Sequence, residues 1–200
     1  MTPSKIISLQ TDINVNKLSK KILKNEPRIL KKYPAKSADG ISDFDGETGL
    51  GFNSLTSRSP HFNVLDWWGT GNLRKWIRKG YEKYNDITDS PLYVQCWANV
   101  MRKGQQIKPH SHRNGQRDPV TNFLSGNLSV CVDGSTSTYY DGSPILNKNG
   151  WMVFFPGHVY HWTNRYEGPG ERITVAFDIY NKEFFEYDMV EGAKKHWIRI

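Results

Sequence analysis

The stretch from Tyr93 to His112, YVQCWANVMRKGQQIKPHSH, holds an alternating strand, a basic glycine-containing turn and two histidines one residue apart. Leu92, Val94, Cys96, Ala98 and Val100 make one face of the strand, and Tyr93, Gln95, Trp97, Asn99 and Met101 make the other. A period of two marks a strand with two different environments, so the polar members of the second face are expected to line a cavity. In extended chain, side chains of like parity share a face, so His110 and His112 can offer two imidazole nitrogens to one metal ion. An isolated H-x-H is more often a pair of surface or sheet-face histidines. Two features downstream change that reading. FFPGHVYHWTN places His161 after an apolar run, and ERITVAFDIY places Arg172 at the head of another strand, with Thr174 pointing the same way.

Working outward, short strands recur at NFLSGNLSVCV, STYYD, GWMVFFP, HVYHWTN and RITVAFDIY, separated by the turn signals Asp133-Gly134, Asp141-Gly142 and Asn149-Gly150. Many short strands at this spacing indicate an antiparallel sandwich or barrel. Before them, a strand-like piece spans Ile6 to Leu9. A helix is expected from about Asn16 to Asn25, with Val15, Leu18 and Ile22 on one face and with Pro27 and Pro34 breaking the pattern beyond it. From Phe62 to Tyr84 the pattern is again helical, with Leu73, Trp76, Ile77, Tyr81 and Tyr84 on one face and Arg74, Lys75, Arg78 and Lys79 on the other. The segment Ala35 to Pro60, rich in Gly, Ser and Asp, reads as a long loop or covering lid. Its acidic group Asp39, Asp43, Asp45 and Glu47 lacks the spacing of a calcium loop. Asn181 to Ile200 fits a final helix or an edge strand. The expected architecture is mainly β with N-terminal helices, a jelly roll. Residues 1–90 form a helical and loop region packed on a core of 91–200, and the whole makes one structural domain.

Composition sets bounds. Aromatics make up 13% of the 200 residues against an ordinary charged fraction of 24%, which excludes a disordered chain. The net charge of +7 invites a nucleic-acid partner, but much of the excess sits in Lys17 to Lys32 and Arg74 to Lys83. Those segments read as solvated helix faces, and no nucleic-acid-binding module is recognisable. Cys96 and Cys131, far apart in strand patterns, argue against a disulfide framework or zinc ribbon and for a reducing compartment. No segment reaches the length of a membrane span, so the expectation is a soluble, cytoplasmic protein, monomeric or oligomeric.

Three histidines converging inside a β-barrel can hold a divalent transition metal on one side and leave the opposite coordination positions open. Arg172, with Thr174, would then anchor the carboxylate of an organic cosubstrate. WANVMRKGQQIKPHSH, FLSGNLSV, FFPGHVYH and ERITVAFDI, in that order, resemble the iron(II)- and 2-oxoglutarate-dependent oxygenases. The resemblance is strongest to the small oxygenases of marine cyanobacterial viruses and marine bacteria, and GLGFNSLTSRSPHFNVLDWW is similar to the upstream region of the viral members. It implies a double-stranded β-helix of the cupin-like kind, ferrous iron, 2-oxoglutarate as cosubstrate, molecular oxygen, and a protein side chain (a prolyl residue first) or a small molecule as substrate. By position it implies His110 and His161 as iron ligands, Arg172 and Thr174 as the grip on the distal carboxylate, and Asn99 with Tyr140 or Tyr139 as further cosubstrate contacts.

One departure stands out. The resembled family has H-x-D or H-x-E where this chain has His110-Ser111-His112, so an imidazole takes the place of an anion and leaves the metal site one unit more positive. Asp118, in the loop after the motif, is the alternative source of a carboxylate. His158 is the rival of His161, three residues earlier and placed outside the ligand set, whereas His61 and His196 have no motif context. Two readings without 2-oxoglutarate stay open: a cupin-like protein holding zinc or nickel, and a three-histidine dioxygenase.

Overall fold

The computed structural model of the chain describes residues 4–34, 49–86, 90–112, 123–188 and 191–200. Asp118 and the acidic group Asp39, Asp43, Asp45 and Glu47 lie outside them. Two antiparallel sheets face each other. The larger has the spatial order β1 (Ile7–Gln10), β6 (Trp151–Pro156), β3 (Phe123–Cys131), β8 (Arg172–Asn181), β2 (Leu92–Met101) and β9 (Ile198–Arg199). The smaller is β5 (Ser143–Leu146), β4 (Ser137–Tyr140) and β7 (His161–Thr163). This is the jelly roll that the strand spacing anticipates, in the double-stranded β-helix form that the resemblance implies.

Strand parity explains how the larger sheet is used. On β8, Ile173, Val175, Phe177 and Ile179 join Val94, Cys96, Ala98 and Val100 of β2, Leu124 and Leu128 of β3, and Phe154 of β6 in the main hydrophobic core. That core is closed from outside by α1 (Val15–Lys32), through Leu18, Ile22 and Ile29, and by α2 (Gly71–Asn85), through Leu73, Ile77, Tyr81 and Tyr84. The residues of opposite parity, Arg172, Thr174, Ala176, Asp178 and Tyr180, turn to the space between the sheets. Gly80 lets α2 lie close to the sheet, since a Cβ there would stand 1.9 Å from the Phe154 ring. No helix among the described residues is long and apolar enough to cross a membrane.

Two expectations about helices need correction. The first helix does not end before Pro27 but runs through it to Lys32. Pro27 is exposed, so its ring meets solvent and not the core, while the helix forgoes one backbone hydrogen bond there. The cost is offset beyond it by burial of Ile29 and just before it by Glu26, which accepts two bonds from Arg102 at 2.8 and 3.1 Å. The stretch Phe62 to Tyr84 is not one helix: a short 3-10 turn at Val64–Asp66 precedes α2, which begins only at Gly71. Gly69, at φ 81°, takes a backbone conformation that ends any earlier helical run. The C-terminal segment, for which the sequence leaves a final helix or an edge strand as alternatives, contains one of each, α3 (Lys182–Asp188) and the edge strand β9.

Candidate metal centre

After β2 the chain turns at Gly104 and runs beside β7, the edge of the smaller sheet, bridging to it at His110 and His161. The Thr163 amide donates to Ile107 at 3.0 Å, and His110 and His161 exchange both backbone hydrogen bonds, at 3.1 and 2.9 Å. This reciprocal pair sets the two imidazoles side by side, with ring centroids 4.2 Å apart. Two residues on, the His112 amide donates to Gly157 at 2.9 Å, which brings the third ring onto the same face. His110 and His112 thus share one face, although the segment that carries them is held to β7 by an isolated bridge and is not a strand of its own.

Each imidazole is oriented through Nδ1. His110 Nδ1 lies 2.8 Å from the Lys108 carbonyl, His161 Nδ1 lies 3.1 Å from the Val159 carbonyl, and His112 Nδ1 lies 2.7 Å from Asp178 Oδ1. All three partners are acceptors, so Nδ1 carries the hydrogen and each Nε2 keeps a free lone pair. The ligand atoms of the three residues all fall within 4.8 Å of one another, and His110 Nε2 and His112 Nε2 are 3.3 Å apart. Two nitrogens at right angles on a metal, each about 2.1 Å from it, would be about 3 Å apart. Backing each ligating imidazole with an acceptor on its far nitrogen is the arrangement that fixes tautomer and aim at metal sites. The donor set therefore fits a divalent transition metal held by one face.

The histidines open on a cavity of about 360 Å³ between the sheets. Arg172 stands in its lining with Thr174 and Asn99. It is 1% exposed, and among the described residues its Nε and Nη1 meet no hydrogen-bond acceptor. Burial pulls its pKa down to about 10, so it is still a cation at neutral pH. A buried guanidinium with unmet donors calls for an anion of about carboxylate size. Asn99 bridges the far side, accepting from Thr56 Oγ1 at 2.6 Å and reaching Thr174 Oγ1 at 3.5 Å. Tyr140 is buried next to His161, its ring 6.2 Å away, and its hydroxyl accepts from Asn127 at 2.7 Å. Tyr139 has the other parity and stacks on Trp162 at 5.5 Å. His158 sits on the turn after β6 and His61 stacks on Tyr33 at 4.9 Å, and neither lines the cavity.

Asp178 and Asn127 also line the cavity, Ser125 donates to Asp178 Oδ1 at 2.7 Å, and no sequence motif singles these three out. For Asp178 a signal does exist: it shares the parity of Arg172 and Thr174 in a strand whose other face, Ile173, Val175, Phe177 and Ile179, is apolar.

The site titrates in a way that reaches the whole fold. Burial first, then the neighbouring His112, pull His110 down to about 4, and burial with the same neighbours pulls His161 well below its ordinary value. Between about pH 6.5 and 4 the unfolded chain therefore binds protons that the folded, metal-free chain refuses. The resulting destabilisation is absent above about pH 6.5, grows on acidification by up to about 1.4 kcal/mol per pH unit for each histidine, and levels off below the folded values. Urea midpoints of metal-free protein should fall from pH 7 to 5, and fall less steeply in His110→Asn. Equal slopes in the two proteins would remove the histidines from this account.

No family model matches the chain, and no curated protein matches it in sequence. Solved structures do match in shape. The viral collagen prolyl hydroxylase of Paramecium bursaria Chlorella virus-1, solved with 2-oxoglutarate, is 14% identical, with 87% of this chain and 94% of that one covered at a TM-score of 0.58. The non-heme α-ketoglutarate-dependent carbocyclase SnoK of nogalamycin biosynthesis is 10% identical over 88% and 79% of the two chains, at 0.57. CytC3, solved with Fe(II) and α-ketoglutarate, is 11% identical over 90% and 74%, at 0.54. At such identities the likeness is one of fold: the chain has the double-stranded β-helix that these oxygenases share.

Proposed function

We propose that the protein is an iron(II)- and 2-oxoglutarate-dependent oxygenase that hydroxylates an organic substrate. One observation carries the reading: a three-histidine cluster and a buried guanidinium with unmet donors face the same cavity. A metal-binding barrel without a cosubstrate needs the first and has no use for the second. On this reading His110, His112 and His161 hold the metal through Nε2. Arg172 and Thr174 hold the distal carboxylate, with Asn99 beside them in the lining and Tyr140 packed behind His161. When bound, ferrous iron with 2-oxoglutarate and molecular oxygen would supply the oxidant for a C–H bond, one oxygen atom of O2 going to the substrate and the other to succinate, with carbon dioxide released.

The chain's own residues then bind, orient and exclude water. Trp97, Phe123, Tyr180 and Trp197 make an aromatic wall on the cavity side away from Arg172, suited to a flat or ring-bearing apolar group. A prolyl residue or another side chain of a protein is the first candidate, and a small metabolite the second. The 3-10 turn Thr56–His61 covers the mouth, with Thr56 and Ser59 in the lining. Residues 91–200 are thus the catalytic core and 1–90 the region that braces and covers it. The Gly49 to Trp68 stretch supports a place beside the small oxygenases of marine viruses and bacteria. The two free cysteines, Cys96 and Cys131, suit a cytoplasmic setting.

The all-histidine ligand set is the observation that favours a rival, a three-histidine dioxygenase that takes no 2-oxoglutarate. Anaerobic titration of the iron-loaded protein with 2-oxoglutarate separates the two. The visible charge-transfer band of a chelated keto acid is the expected result. Iron binding without that band would favour the rival, and zinc or nickel held in preference to iron, again without keto-acid binding, would favour a cupin-like binding protein.

A further inference from the structure

The three imidazoles are not backed alike. His110 and His161 donate to neutral backbone carbonyls, whereas His112 donates to a carboxylate, at 2.7 Å. Asp178 is placed for this by the sheet: it lies directly opposite Ser125 in the pairing of β3 with β8, and Ser125 Oγ donates to the same Oδ1 at 2.7 Å. Ser125 Oγ also stands 3.0 Å from His112 Nδ1, so the three groups are packed against one another. Asp178 lies on the Nδ1 side of the ring and the common metal position on the Nε2 side, so the carboxylate reaches the metal only through the imidazole. Flanked by Phe177 and Ile179, it is the one acidic residue in the ten-residue strand β8.

We propose that Asp178, held by Ser125, is the positioning residue that returns to this site the negative charge that His112, standing where the resembled family has an acid, has removed from the ligand set. An imidazole that donates to a carboxylate is a stronger electron donor than one that donates to an amide carbonyl, and the ion behind it offsets one unit of metal charge at one remove. The inference rests on the reading that the three histidines bind a metal.

The test uses cobalt(II) as a spectroscopic probe in the full chain. Asp178→Asn keeps an oxygen that can accept from His112 and removes only the charge. It should weaken cobalt binding about tenfold to a hundredfold, the usual scale for the partner of a ligating histidine. In His112→Asp, where a carboxylate occupies the ligand place beside Asp178, the same change should leave affinity unchanged or raise it, because two carboxylates would otherwise crowd one site. A merely structural role would lower the urea midpoint in both backgrounds without that reversal. Equal affinity of Asp178→Asn and the parent protein would overturn the proposal, as would equal losses in both backgrounds. So would a His112→Ala protein that keeps cobalt while Asp178→Ala loses it, since that would make Asp178 a direct ligand. If neither the parent nor any variant binds cobalt, the failure belongs to the three-histidine reading and takes the inference with it.

Discussion

His161→Ala is expected to leave a folded protein that no longer holds ferrous iron. The imidazole is buried between His110 at 4.2 Å and Phe155 at 4.7 Å, with Nδ1 tied to Val159, so its place in the cluster is fixed by packing. Its backbone bonds to His110 do not depend on the side chain and keep the smaller sheet in register. The fold also loses a buried titratable group whose charged form burial already disfavours, which limits the cost of truncation. Iron affinity should fall by well over a hundredfold, beyond the tenfold to hundredfold range expected from losing an outer partner alone. His112→Ala should behave alike, and Asp118→Ala should bind as the parent does. Stoichiometric iron in His161→Ala, measured anaerobically, would falsify the ligand assignment.

How legible each feature is in the sequence depends on how far it relies on distant partners. The alternation in β2 and β8 is local and legible, and with it comes the parity that puts Asn99, Arg172 and Thr174 in one cavity. His-x-His is legible as a pattern, but its placement comes only from the bridge of His110 to His161 fifty residues later. Parity marks the face of Asp178, but its partners are hidden for the same reason. Its role depends on Ser125 across the β3–β8 pair and on His112 from the other sheet, and nothing in VAFDIY points to either. The limits of α1 and α2 escape a local reading because breakers act differently in tertiary context. Pro27 on a solvent face is tolerated, and Gly69 ends a run that hydropathy alone would continue. β5, with three of its four residues exposed, carries almost no alternating signal.

Arg172→Met should separate two quantities that usually move together, raising or preserving stability while removing the cosubstrate. In the ligand-free protein Arg172 holds its charge 1% exposed, with two of its donor groups unmet among the described residues. Such a burial is unfavourable, and burial is what pulls its pKa down to about 10 against the raising influence of Tyr140, Tyr166 and Asp133. Methionine fills most of the same volume without a charge to desolvate, so the substituted protein should melt no earlier than the parent. With 2-oxoglutarate present the order reverses. Losing a charge-assisted pair to the distal carboxylate should cost about 2 to 4 kcal/mol, a fall in affinity of about 30- to 1,000-fold. The parent should then gain thermal stability from saturating 2-oxoglutarate, and Arg172→Met should gain almost none at the same concentration. Iron affinity should be unaltered, because Arg172 is not among the three residues whose ligand atoms converge. If 2-oxoglutarate stabilises both proteins equally, the guanidinium is not its anchor. The case for an oxygenase would then rest on the histidines alone, which a three-histidine dioxygenase explains as well.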